Sequence, residues 1–192
     1  MITLSGESQS PLVGVLALQG GFAAHERVIH RLGGQTRQVR VPRDLEGLDA
    51  LILPGGESTT MTLGVEREGL GDPLRAFAAS GRPVLGTCAG MIMLDRDHLG
   101  ILDGTAKRNA FGRQLHSFEA DFEVAGIPGG PLHAIFIRAP WMAERGPLLE
   151  VLAEVDGNAV AVRQQNILAL SFHPELTGED RIHRFFLAQI GR

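Results

Sequence analysis

The 192-residue sequence predicts an α/β fold, an open, mostly parallel twisted sheet with helices on both faces, plus a late antiparallel strand addition. Two observations support this fold class. Short apolar runs alternate with helical patterns from Val13 to Leu94, which is typical of consecutive β-α-β units. A period of two then appears from Gln114 to Val124, which indicates an antiparallel strand with one wet face.

The first half of the chain begins with a strand at Val13–Leu18, a compact apolar run that Gln19-Gly20-Gly21 ends. A helix follows from about Phe22 to Leu32, and Gly33-Gly34 stops it. Ala24, Val28 and Leu32 share one face of this helix. The same alternation predicts strands at Gln35–Val41, Leu51–Leu53 and Pro83–Leu85, and helices at Ser58–Leu63, Pro73–Ala79 and Ala89–Leu94.

The second half contains short strands and one terminal helix. The strands that follow the alternating segment are predicted at Ile135–Ile137, Leu149–Val155, Ala159–Val162 and Ile167–Leu170. A last helix, about Glu179–Ile190, carries Ile182, Phe185, Phe186 and Ile190 on its apolar face. No repeat or linker interrupts the pattern, so we expect one domain over residues 1–192, with residues 1–11 as a flexible tail.

The composition favours a cytoplasmic protein. A net charge of −4 gives no electrostatic reason to bind nucleic acid or an anionic membrane. A single cysteine excludes an internal disulfide and suits a reducing compartment. No apolar run approaches the roughly 20 residues that a membrane span needs, and the polar first residues lack the pattern of a signal peptide.

The segment Gly86-Thr87-Cys88-Ala89-Gly90 lies between a predicted strand and a predicted helix and has the form of a nucleophile elbow. Such a turn holds its central residue in a strained conformation, and side chains two positions either side would clash. The turn would lift the Cys88 sulfur out of the sheet and towards the positive end of the helix, which favours the thiolate. A buried structural cysteine is the alternative, and the flanking glycines argue against it.

A thiol nucleophile needs a base, and His173 is the best of seven histidines. It follows the strand Ile167–Leu170, and Glu175 can reach back across Pro174 to orient one imidazole nitrogen while the other faces the thiol. The other histidines have weaker signals. We expect His25, His30 and His183 to be solvated or partly packed, and no telling acidic partner is evident for His98, His116 and His133.

The loop Pro54-Gly55-Gly56-Glu57 precedes a predicted helix and would expose backbone N–H groups. Such groups bind either a phosphate or an oxyanion. The lysine of a phosphate-binding P-loop is absent, so an acyl oxyanion fits a thiol nucleophile better.

Together these motifs resemble the class I, triad-type glutamine amidotransferases. Further segments resemble the glutaminase subunits of pyridoxal 5'-phosphate synthases, from about Val13 to the C-terminus. They are Ala17–Gly20, Leu53–Met61, Arg108–Gln114, Phe136–Pro140 and Ser171–Thr177.

The resemblance implies a role for each site residue. Cys88 would be the nucleophile, His173 the general base and acid, and Glu175 its orienting partner. The backbone N–H groups of Gly56 and Ala89 would form the oxyanion hole. The residues implied in contacts with L-glutamine are Gly56, Glu57, Ser58, Arg108, Ile137 and Arg138.

The resemblance also implies a partner. Ammonia from L-glutamine would pass to a separate, barrel-shaped synthase subunit within a large hetero-oligomer, where pyridoxal 5'-phosphate is built. The glutaminase itself would hold no metal and no cofactor.

The sequence departs from the family pattern at two places. Only Asp95-Arg96-Asp97-His98 separates Leu94 from Leu99, where a longer helix end and loop are expected. Ala24 also precedes His25, where the family usually has an acidic residue.

Three alternatives stay open. The chain could be a glutaminase that serves another synthase, a cysteine-dependent stress protein or peptidase, or a non-enzymatic module of the same fold. The motifs at Arg108–Gln114 and Phe136–Pro140 argue against the first, the His-Pro-Glu ending against the second, and the complete triad against the third.

Overall fold

The protein is described here from a computed structural model, in residues 10–108 and 117–191. The strands are β1 (Leu12–Leu16), β2 (Gln35–Val39), β3 (Ala50–Leu53), β4 (Val84–Thr87), β5 (Gly104–Lys107), β6 (Ser117–Phe122), β7 (Leu132–Ile137), β8 (Trp141–Arg145), β9 (Glu150–Val155), β10 (Asn158–Gln164) and β11 (Ile167–Leu170). The α-helices are α1 (Phe22–Arg31), α2 (Ser58–Arg67), α3 (Gly71–Ala79), α4 (Ala89–Leu94) and α5 (Arg181–Leu187). Short 3₁₀ turns cover Pro42–Leu45 and Pro174–Leu176.

The main sheet is parallel on one side and antiparallel on the other. Its strand order is β2-β1-β3-β4-β11-β10-β8-β5, and β9 pairs with β10. The neighbours from β2 to β11 run parallel, whereas β10, β8, β5 and β9 join in antiparallel pairs. The predicted fold class, with its mostly parallel sheet and antiparallel addition, is therefore confirmed.

The register of the parallel strands decides where the site can form. Gly86 in β4 pairs with Leu53 in β3, and Thr87 pairs with Leu170 in β11. The carboxyl ends of these three strands therefore meet at one edge of the sheet, and the residues that follow each strand emerge side by side.

Apolar side chains fill both faces of this sheet. On β3, Leu51 and Leu53 pack on one side with helices α2, α3 and α4, while Ala50 and Ile52 pack on the other with α1, α5 and β7. Every residue of β3, β4 and β11 is buried, as expected for strands that are covered on both faces.

Strands β6 and β7 form a separate, two-stranded antiparallel sheet. The side chains of β6 alternate between exposed and partly buried, so the predicted period of two is confirmed over Ser117–Phe122. The partly buried side brings Phe118 against Phe136 of β7, with stacked rings 4.4 Å apart. The predicted start of this strand at Gln114 lies outside the described residues.

Several predicted bounds were wrong. Helix α2 continues to Arg67, beyond the predicted end at Leu63, because Gly64 does not stop it. A Cβ on Gly64 would lie 3.1 Å from Leu18 Cδ1, so this glycine permits close packing against Leu18, two residues beyond β1. Helix α5 is shorter than predicted, and strands β5 and β8 were not predicted.

No helix in the described part of the chain is both long enough and apolar enough to cross a bilayer. The predicted tail is described only from Ser10 onwards, and Pro11 already accepts a hydrogen bond from the Gln35 N–H at 2.8 Å.

Candidate active site

Cys88 occupies the sharp turn between β4 and α4. Its backbone has φ 49° and ψ −106°, a conformation that is uncommon for a residue other than glycine. A Cβ on Gly90 would lie 2.0 Å from the Leu53 carbonyl oxygen, and one on Gly86 would lie 2.8 Å from the carbonyl carbon of Gly90. The steric reason predicted for the two glycines is thus borne out by their contacts.

His173 and Glu175 lie directly behind the thiol. His173 Nδ1 and Glu175 Oε1 are 2.7 Å apart, and the Glu175 side chain is buried. Burial alone lowers the pKa of His173, but hydrogen bonds with Cys88 and Glu175, and their charges, raise it to about 10. The structure therefore holds an imidazolium between the sulfur and the carboxylate at neutral pH.

The charge of Glu175 is maintained by its surroundings. Burial raises the pKa of Glu175, whereas the contacts with His25 and His173 lower it and outweigh the burial. An ionised carboxylate accepts a proton donor on each oxygen, so it holds the imidazole of His173 in one orientation.

The loop after β3 passes close to the imidazole. A Cβ on Gly55 would lie 2.4 Å from His173 Cε1, so only glycine fits at this position without a shift. The Gly55 carbonyl oxygen accepts a hydrogen bond from the Gly21 N–H at 2.9 Å. Because the peptide is trans, the Gly56 N–H points away from Gly21. Ala89 begins α4, where backbone N–H groups have no acceptor within the helix.

A cavity of about 330 Å³ opens above the sulfur. Cys88, His173 and Ala89 line it, and Glu175 supports His173 from behind. The structure also brings every residue that was predicted to contact substrate to the wall of this cavity: Gly56, Glu57, Ser58, Arg108, Ile137 and Arg138. Gln19 and Ile92, which were not predicted, complete the lining.

Glu57 has a structural task that the sequence did not predict. Its carboxylate caps α2 by accepting hydrogen bonds from the N–H groups of Thr59 and Thr60, at 3.1 and 2.7 Å. These bonds and one from the Thr60 hydroxyl lower the pKa of Glu57 to about 2. The carboxylate at the cavity wall is consequently negative at neutral pH.

Arg108 is held by two partners from different elements. Its Nη1 donates to Thr59 Oγ1 at 3.1 Å, and its Nη2 lies 3.0 Å from His98 Nε2. His98 Nδ1 in turn lies 2.7 Å from Oδ1 of the buried Asp95. The expectation that His98 lacks an acidic partner was wrong, and the Asp-x-x-His spacing was the overlooked signal. The rest of the motif, residues 109–114, lies outside the described residues.

The short segment after α4 is well anchored. Besides His98, the Asp95 carboxylate accepts hydrogen bonds from the N–H groups of Asp97, His98 and Ala106. A single buried carboxylate thus closes the turn that replaces the longer loop expected here.

Ile137 and Arg138 line the cavity at the end of β7. Cys88 Sγ lies 3.7 Å from the Ile137 carbonyl oxygen. Arg138 has φ 44°, so the backbone turns sharply there.

Three further histidines differ from expectation. His25 is fully buried beside Glu175, and His183 is fully buried beside His25, whereas the sequence suggested solvated or partly packed rings. His25 continues the buried stripe of α1 next to Ala24, and Ile29 follows it four positions later. His133 faces Asp121 at 2.8 Å and Glu119 at 3.1 Å, so the expectation that it lacks an acidic partner was wrong. His116 lies outside the described residues.

Comparison with known proteins points to one family. The model of the SNO glutamine amidotransferase family matches residues 15–192. A protein of Acidothermus cellulolyticus named pyridoxal 5'-phosphate synthase subunit PdxT is 50% identical over 197 residues, which cover 95% of each chain. One of the same name from Streptomyces coelicolor is 50% identical over 188 residues, with 93% of each chain covered.

The fold agrees as well. A crystal structure described as a glutamine amidotransferase superposes with a TM-score of 0.87 at 46% identity, over 94% of this chain and 99% of the other. Both the sequence and the architecture are therefore matched over nearly the whole length. The chain belongs to the SNO glutamine amidotransferase family.

Proposed function

We propose that the protein is the glutaminase subunit of a pyridoxal 5'-phosphate synthase and that it hydrolyses L-glutamine to L-glutamate and ammonia. The observation that carries this proposal is the line of Cys88, His173 and Glu175 that ends in the cavity above β4 and β11. The family and the names of the curated relatives support the same reaction class and pathway.

In the first half of the proposed reaction, the Cys88 thiolate attacks the amide carbon of glutamine. The negative charge then moves to the carbonyl oxygen, where the N–H groups of Gly56 and Ala89 stabilise it. Each such donor contributes about 3 kcal/mol to the transition state. His173 gives its proton to the leaving nitrogen, the carbon–nitrogen bond breaks, and ammonia leaves a thioester on Cys88.

In the second half, water hydrolyses the thioester. The neutral His173 takes a proton from the water, whose oxygen attacks the thioester carbon. The carbon–sulfur bond breaks, glutamate leaves, and the thiolate–imidazolium pair returns. Glu175 keeps the imidazole in one orientation throughout both steps.

The cavity walls supply charges that match the substrate's amino-acid end. Arg108 and Arg138 can pair with the α-carboxylate, and the Glu57 carboxylate can accept from the α-ammonium. Ser58 and the Ile137 backbone add polar groups beside them. A cavity lined by both cationic and anionic side chains favours a zwitterionic amino acid over a simple amide.

Ammonia would pass to a synthase partner, which we infer to be a barrel-shaped subunit in a hetero-oligomer. The names of the curated relatives describe them as subunits of pyridoxal 5'-phosphate synthase, so they support such a partner. We also propose a reducing cytoplasm as the compartment, because the mechanism requires the sole cysteine as a free thiolate.

The test is ammonia release from glutamine by the chain alone and after addition of the purified synthase subunit, with asparagine as the control substrate. We expect hydrolysis of glutamine but not of asparagine, and a higher rate with the synthase. Full activity that the synthase leaves unchanged would contradict the proposed synthase partner. No hydrolysis under either condition would contradict the proposed reaction.

A further inference from the structure

Behind the triad lies a buried pair of histidines that the proposed reaction does not use. His25 of α1 and His183 of α5 are both 0% exposed. His25 Nδ1 and His183 Nε2 are 3.0 Å apart, although the two residues are far apart in sequence. The other nitrogen of His25 faces the triad, 3.1 Å from Thr87 Oγ1 and 3.4 Å from Glu175 Oε2.

The atom of Glu175 that faces His25 is Oε2, which lacks a hydrogen-bond donor among the described residues. Glu175 Oε1 is engaged by His173, whereas Oε2 is buried and has no hydrogen bond of standard geometry to any described residue. A buried carboxylate oxygen without a donor is costly. His25 Nε2 at 3.4 Å is positioned to supply that donor.

The protons of the two rings can be assigned from their partners. Burial lowers the pKa of His25, and burial and the neighbouring His25 lower that of His183 to about 3, so each ring carries one proton at neutral pH. A bare nitrogen facing the ionised Glu175 would repel it, so the proton of His25 lies on Nε2. His25 Nδ1 must then accept from His183 Nε2–H. This leaves His183 Nδ1 bare, and that atom has no hydrogen-bond partner among the described residues.

We propose that His25 is a positioning residue for the triad. It donates from Nε2 to Glu175 Oε2, while His183 fixes the ring in the required tautomer. A carboxylate held at both oxygens cannot rotate away from His173, so the imidazole stays aligned with Cys88. The distance of 3.4 Å is long for such a bond, as is common for catalytic contacts in the absence of substrate.

Thr87 supports the same ring from the elbow itself. It is fully buried, is the last residue of β4 and directly precedes Cys88. The hydroxyl accepts from His25 Nε2 as a second acceptor, so the ring is fixed against both the carboxylate and the strand that presents the nucleophile.

This inference rests on the proposed function. Its test uses two substitutions of His25, one that retains a hydrogen-bond donor and one that removes it. His25→Gln retains a donor near the position of Nε2, whereas His25→Leu removes it at similar size. We expect His25→Leu to lower kcat for glutamine about 10- to 100-fold with little change in KM, in line with other residues that orient a functional side chain. His25→Gln should recover most of that loss.

The matched control is Ile29→Ala, on the same helix and also fully buried. It removes packing from α1 without touching Glu175, and we expect wild-type kcat at a lowered unfolding temperature. If Ile29→Ala and His25→Leu lowered kcat equally at similar loss of stability, His25 would merely be a packing residue and the proposal would fail.

A second readout does not depend on glutamine. Iodoacetamide alkylates the thiolate of Cys88, the sole cysteine, and its rate against pH reports the state of the Cys88–His173 pair. The charged and titratable groups around His25 are Glu175, His173 and His183, and Arg31 and Asp180 act on His183. We expect His25→Leu to move the alkylation profile to higher pH, with slower labelling at neutral pH.

The two readouts separate the possible failures. A shifted alkylation profile in a protein whose wild type hydrolyses no glutamine would overturn the proposed function and leave the positioning role standing. An active wild type, with His25→Leu unchanged in both kcat and alkylation profile, would overturn the positioning role alone.

Discussion

At the scale of single residues, the site depends on a few buried polar groups with matched partners. Glu175 acts on His173 with one oxygen and faces His25 with the other. Arg108 is fixed between Thr59 and His98, and His98 is fixed by Asp95. His173 and Arg108 are thus each held by another side chain, which reduces the conformational entropy that substrate binding would otherwise remove.

Arg108 gives a prediction at this scale. Arg108→Ala should raise KM for glutamine about 10- to 100-fold with a smaller effect on kcat, because a charge-assisted hydrogen bond contributes about 1.5–3 kcal/mol. Steady-state ammonia release measures both constants. Arg145→Ala, which removes an exposed arginine on β8, is the control and should leave them unchanged. An unaltered KM in Arg108→Ala would contradict the assigned contact.

At the scale of elements, the site depends on how closely α4 approaches the sheet. The helix begins directly after Cys88, and Gly90 packs against the end of β3 with no room for a side chain. Neighbouring parallel strands then bring His173 and the Gly55-Gly56 loop to the same edge. The proposed nucleophile, base and oxyanion loop therefore come from three adjacent strand ends.

Gly90→Ala tests this approach. The added Cβ would lie 2.0 Å from the Leu53 carbonyl oxygen, which is backbone and can move only if α4 and β3 separate. We expect a loss of about 1–3 kcal/mol in the free energy of unfolding, measured with urea, together with a loss of glutaminase activity. Gly71→Ala is the control, since its Cβ meets the flexible end of Arg75 and alanine favours the helix. Wild-type stability in Gly90→Ala would show that α4 can move away from the Leu53 carbonyl oxygen at little cost, and would contradict the importance of this close approach.

Local patterns predicted these elements well, and long-range contacts explain what was missed. Apolar runs and turn glycines can be recognised from a few consecutive residues. The parallel strands, the elbow and the position of His173 were therefore predictable. The burial of His25 depends on α5 and Glu175, which lie far along the chain. Strand β5 is short and contains few apolar residues, and its pairing with β8 likewise cannot be predicted from neighbouring residues in the sequence.

At the scale of the whole molecule, the buried histidines make stability depend on pH. His183 has a folded pKa of about 3 against an ordinary value of 6.5, because burial, the largest cause, disfavours its charged form. The unfolded chain therefore binds this proton first, and stability falls as the pH drops from about 6.5 towards 3. His25 acts in the same direction, and Glu175, whose pKa is also lowered, adds a loss below 4.5.

His173 acts in the opposite direction and in another range. Its pKa is raised to about 10, so its contribution is complete below 6.5 and is lost as the pH rises from there to about 10. Between pH 6.5 and pH 5, the change in stability therefore reports mainly on the buried histidines His25 and His183.

We expect the free energy of unfolding to fall by about 2 kcal/mol for His183 alone between pH 6.5 and pH 5. Urea denaturation at the two pH values measures the change. His183→Leu should make the free energy of unfolding less dependent on pH over this range. A stability that is independent of pH across this window would contradict a neutral, buried His183.

The proposed role of Cys88 as the nucleophile of a glutaminase can be tested by ammonia release from glutamine, measured for the wild type and for Cys88→Ala in the presence of the synthase subunit. We expect that Cys88→Ala releases no ammonia above background, while its unfolding temperature and its binding to the synthase stay as in the wild type. Hydrolysis retained in that variant would contradict the role of Cys88 as the nucleophile.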